Sequence, residues 1–133
     1  MTSRAIFYFS LTGNTKAILQ DTNGFDVYDI TKTENIDFSK YSTVILGLST
    51  YGRGSAHENT WGFLKKFVRI TGKKIGLFGS GNSIYPDFCG ALDIIEDAIK
   101  DRNEILFKYK FEAYPTLKVK DEFNDLLRGA CDD

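Results

Sequence analysis

Three short stretches of this 133-residue chain combine hydroxyl, glycine and aromatic residues in an order that suits ligand binding better than acid–base or nucleophilic chemistry. The first, Ser10-Leu11-Thr12-Gly13-Asn14-Thr15, follows an apolar run and opens a short helical pattern. Backbone N–H groups at a helix start are unpaired, and the hydroxyls of Ser10, Thr12 and Thr15 add neutral donors, so this loop can cradle a phosphate without a lysine. It can equally be a turn at Gly13 with Thr12 or Asn14 capping the helix. It matches neither G-x-x-x-x-G-K-[ST] nor G-x-G-x-x-G, so Walker-type hydrolases and dinucleotide-binding dehydrogenases lose support.

The second stretch is Ser49-Thr50-Tyr51-Gly52-Arg53-Gly54, and the third runs Gly79-Ser80-Gly81-Asn82-Ser83-Ile84-Tyr85-Pro86-Asp87-Phe88-Cys89-Gly90. A flat ring system such as an isoalloxazine needs aromatic faces to stack on and backbone groups to meet its polar edge, and Tyr51 and Tyr85 offer one face from each loop. Glycines 52, 79 and 81 let the backbone approach closely or flip. Either tyrosine alone is explained as well by half-buried packing; the two loops taken with the phosphate cradle favour a flavin-like ligand. Arg53 reads as a solvated loop charge or as a cation beside that ligand, and the lone His57 reads as a surface residue with no role. No catalytic acid, base or nucleophile is assigned.

The elements that must position these loops emerge from the hydrophobic pattern. Residues 4–9, 43–48, 74–79 and 105–111 read as buried strands, and 25–30 as a weaker fifth. Residues 88–100 have the clearest helical face, with Ala91, Leu92, Ile95, Ala98 and Ile99 on one stripe. Residues 59–69 place Trp61, Leu64, Phe67 and Val68 together, and 118–128 place Val119, Phe123, Leu126 and Leu127 together. Residues 14–20 allow about two helical turns, and the polar stretch 31–42 reads mostly as loop. Strands alternating with helices imply right-handed crossovers and a parallel sheet, hence the α/β class. Ligands in such sheets sit beyond the carboxyl ends of the strands, which all three loops follow.

Composition fits this picture. Residues 1–133 read as one domain, and 42% hydrophobic, 26% charged and 14% aromatic residues describe a globular chain. A formal net charge of −1 with scattered lysines carries no nucleic-acid footprint. The apolar run after Arg4 is too short for a signal core or a membrane span, which predicts a cytoplasmic protein. Cys89 and Cys131 form no C-x-x-C pair, and with one histidine no metal set is expected.

Ser10 to Thr15 is similar to the [ST]-x-T-G-x-T phosphate loop of the flavodoxins, and 49–52 to their S-T-W-G loop with tyrosine for tryptophan. Residues 79–90 are close to their G-x-G-D-S-S-Y-x-x-F-C-G signature. In these motifs and in element order the chain resembles the flavodoxin family over essentially its whole length. The resemblance implies a flavodoxin-like three-layer sandwich whose five-stranded parallel sheet has the order 2-1-3-4-5, with FMN bound where the order reverses. It implies that Ser10, Thr12, Gly13, Asn14 and Thr15 hold the phosphate and that Ser49, Thr50, Tyr51 and Gly52 meet the ring. Gly81, Asn82, Phe88 and Cys89 would line the flavin while Tyr85 stacks on its outer face.

The implied activity is single-electron transfer between a flavodoxin reductase-type donor and a redox acceptor protein, by a monomer. The alternative is a flavodoxin-like activator of manganese class Ib ribonucleotide reductase, which the stretch 107–116 and Ser80-Gly81-Asn82 also resemble. Asn82 replaces the usual aspartate of the third loop, Arg53 adjoins the ring loop, and the net charge is low. All three changes predict a higher potential for full reduction than is usual in the family.

Overall fold

A computed structural model describes residues 3–9, 14–19, 22, 24–32, 37–51, 55–56, 61–81, 90–112 and 115–131. The chain runs β1 (Arg4–Phe9), α1 (Asn14–Ala17), β2 (Asp26–Asp29), β3 (Thr43–Tyr51), β4 (Ser55–Ala56), α2 (Trp61–Phe67), β5 (Lys74–Gly81), α3 (Gly90–Ile99), β6 (Glu104–Glu112) and α4 (Leu117–Cys131). Two 3-10 turns, Ile30–Lys32 and Phe38–Lys40, lie in the segment between β2 and β3 that the sequence reads mostly as loop.

The strands order as β2-β1-β3-β5-β6, and all four neighbouring pairs are parallel. The two-residue β4 pairs with β3, antiparallel. The five parallel strands therefore have the expected order 2-1-3-4-5. The central strands are apolar on both faces because helices cover both. Ala5, Phe7 and Phe9 of β1 join Val44, Leu46, Leu48, Ile75 and Leu77 in one cluster with Phe63 and Phe67 of α2 and Leu92, Ile95 and Ile99 of α3. Ile6, Tyr8, Ile45 and Phe78 face the opposite way and join Ile18 after α1 and Phe123, Leu127 and Ala130 of α4.

Two helix stripes differ in detail from the pattern. Phe63, absent from the predicted stripe of α2, is buried, and Ala98 is exposed although the period places it on the inner face of α3. A small side chain on the flank of the stripe gains little from burial, whereas a phenyl ring at the flank reaches the core.

At the amino edge, Asn103 knits the layers together. Its amide nitrogen donates to the carbonyls of Ile70 and Ile99 at 3.0 Å each, and its Oδ1 accepts from the Lys73 N–H at 3.0 Å. Arg102 donates to the Val68 and Ala98 carbonyls at 2.5 and 3.0 Å, satisfying acceptors where helices end.

A register shift in β6 decides which way its side chains face. Ile75 pairs with Ile105, but Gly76 pairs with Phe107, so Leu106 bulges out of the ladder. Because side chains alternate, one extra residue reverses the faces of those after it. Phe107, Tyr109 and Phe111 therefore meet the α4 side, and Lys108 and Lys110 reach α3.

Candidate functional site

The carboxyl ends of the three central strands form a step. β1 stops at Phe9, level with Leu48 of β3, which is itself level with Gly79 of β5. β3 continues to Tyr51 and β5 to Gly81, with Ser49 paired to Ser80 and Gly81 to Glu112 of β6. β1 also pairs with β2 on its other side, so the strand order reverses between β1 and β3. That reversal is where a parallel sheet opens a crevice for a ligand.

Each loop singled out in the sequence leaves from this step. Asn14 and Thr15 open α1, which is joined to β1 by residues 10–13 and packs across β1, β3 and β5. Ser49, Thr50 and Tyr51 are not loop residues. They extend β3 three residues past its predicted end, and Thr50 and Tyr51 pair antiparallel with Ala56 and Ser55. The glycines at 52 and 54 are the only sequence signal for such a hairpin, since Ser55 and Ala56 carry no strand pattern of their own. Gly81 closes β5. Ser10, Thr12, Gly13, Gly52, Asn82, Tyr85, Phe88 and Cys89 lie outside the described residues.

Gly79 shows why this strand end is glycine. A Cβ there would lie 2.8 Å from the Leu48 carbonyl oxygen and 3.1 Å from Leu92 Cδ1, so α3 lies close against the sheet at the step.

A charged cluster flanks the same end of α3 and has no counterpart among the sequence motifs. Asp93, in the first turn of α3, accepts from Lys108 Nζ at 2.6 Å through one carboxylate oxygen and from Lys110 Nζ at 2.9 Å through the other. Lys108 also reaches Glu96 at 3.0 Å. Burial pushes the Asp93 carboxyl up, but the two ammonium groups outweigh it and hold the carboxyl below the usual carboxylate range. Lys108 is raised by its hydrogen bonds to Asp93 and Glu96. The sequence shows these four charges but not that the Leu106 bulge gathers them on one face.

Known proteins share this fold. The family model described as flavodoxin matches residues 6–128. A probable flavodoxin 2 of Bacillus subtilis is 30% identical, the alignment covering 88% of this chain and 86% of that protein. Flavodoxin 1 of Escherichia coli K12 is 34% identical over 92% of this chain and 79% of its own length. Among solved structures, a short-chain flavodoxin associated with a PDU bacterial microcompartment superposes with a TM-score of 0.83 at 25% identity, covering 97% of this chain and 96% of its own. With the family model matching most of its length and curated relatives at 30% identity or more, the chain belongs to the flavodoxin family.

Proposed function

We propose that residues 1–133 act as one domain that binds FMN non-covalently at the step between β1 and β3 and carries single electrons between a flavodoxin reductase-type donor and an acceptor protein. The observation that carries this reading is the departure of all three motif loops from neighbouring strand ends at the point of reversal. The donor set fits the group. Residues 10–15 offer hydroxyls, an amide and backbone N–H groups without a carboxylate, as a phosphate dianion requires. Tyr51, Tyr85 and Phe88 are the aromatic residues of the ring loops.

In this reading Ser10, Thr12, Gly13, Asn14 and Thr15 bind the phosphate. Ser49, Thr50, Tyr51, Gly52, Gly81, Asn82, Phe88 and Cys89 border the ring, and Tyr85 covers its outer face. FMN supplies the one-electron chemistry; the chain's part is to hold the ring, limit water and set the potentials. Arg53 beside the ring loop and Asn82 in place of an aspartate raise the potential for full reduction. The protein works as a monomer in the cytoplasm, meeting its partners through small transient contacts.

The test is absorption spectroscopy of the purified protein during anaerobic stepwise reduction. Bound flavin reduced in two separate one-electron steps supports the carrier. A protein that neither contains nor takes up FMN overturns it. Rapid reoxidation with oxidant delivered to a manganese class Ib ribonucleotide reductase would replace the carrier with the activator reading.

A further inference from the structure

We propose that Asp93 is a positioning residue for the flavin ring, acting through the first turn of α3; this rests on FMN binding at the step. Two ring loops adjoin α3. Residues 82–89 run directly into it at Gly90, and the hairpin of β3 and β4, which carries Thr50 and Tyr51, packs against α3.

The turn is clamped from two strands. Leu92 approaches Gly79 of β5, and Asp93 bridges Lys108 and Lys110 of β6, using both carboxylate oxygens. Lys110 is the register partner of Gly79 and Lys108 that of Leu77, so the clamp spans the last part of the sheet before the step. The Leu106 bulge turns both lysines toward α3, and without it they would face α4. Glu96, one turn on, shares Lys108 and fixes the approach of its ammonium. The Lys100–Asp97 pair at the far end of the same helix, 3.0 Å long and exposed, has no such link to the step.

The experiment compares FMN and riboflavin affinity and both midpoint potentials in the wild type, Asp93→Asn, Asp93→Glu and Asp97→Asn. Asp93→Asn is expected to weaken both ligands by the same factor, about fivefold, and to shift the first midpoint potential, with Asp97→Asn as the control for the lost charge. Asp93→Glu recovers part of both effects, and Asp97→Asn changes neither. Equal losses of affinity for FMN and riboflavin are the signature of the ring, since riboflavin lacks the phosphate. A loss confined to FMN, or unchanged potentials, overturns the inference. If Asp93→Asn fails to fold, Lys110→Met takes its place, with a smaller loss in the same direction expected and no loss overturning. A wild type that does not bind FMN overturns the carrier reading together with this one, whereas binding that is insensitive to Asp93 overturns this one alone.

Discussion

At Gly47 a single methyl group is too much. A Cβ there would sit 2.1 Å from Phe78 Cζ, and Phe78 is itself held by Phe123, with ring centroids 4.6 Å apart. Gly47→Ala is therefore expected to destabilise the protein by about 1–3 kcal/mol, read as a lower urea midpoint with an unchanged slope. A fully buried polar group is tolerated only with partners, and Tyr41 has them. Its hydroxyl donates to Asp26 at 2.8 Å and accepts from Tyr28. Burial, then these hydrogen bonds, raise the Tyr41 phenol far above its ordinary value, so it stays protonated wherever the fold is stable.

Among the elements, the Asp93 cluster gives the fold a pH window. The depressed Asp93 carboxyl contributes stability that is present above its unfolded pKa of about 3.9 and lost as pH falls through the lower folded value. The raised Lys108 contributes stability that is present below about 10.4 and lost as pH rises through its higher folded value. Thermal midpoints of the wild type and Asp93→Asn should therefore differ near neutral pH and converge as pH falls below the ordinary carboxylate range; a constant difference on acidification would count against the cluster. Much of this level is legible from residue order. The apolar runs and their turn residues locate β1, β3, β5, β6 and the three long helices to within a few residues. The pattern does not reveal where strands outrun their apolar stretch, as β3 does through Ser49, paired with Ser80 of β5, and Thr50 and Tyr51, paired with β4. Nor does it reveal the bulge, since Leu106 and Phe107 are both apolar and suit either face. The motif loops name the candidate ligand, but the charges that brace them lie far away in sequence, on β6.

For the molecule as a whole, binding FMN to the folded state alone must raise its thermal stability. At a free concentration of 100 times the dissociation constant the gain is about 2.7 kcal/mol, or roughly 10 °C for a chain of this size. Calorimetry with and without FMN measures it, and an unchanged midpoint would contradict binding at the step.

The margins of the sheet have a consequence for crowded solutions. A formal net charge of −1 leaves two copies with almost no long-range repulsion to keep them apart. An open strand edge is a template for another chain, and among the described residues β2 and β6 each pair with a strand on one side alone. β2 is four residues long with an aspartate at each end, and β6 carries Lys108 and Lys110 along its length. Lys108 and Lys110 are held on the α3 side by Asp93 and Glu96, so neutralising Asp93 would free two cations beside the β6 edge and change how that edge meets another copy.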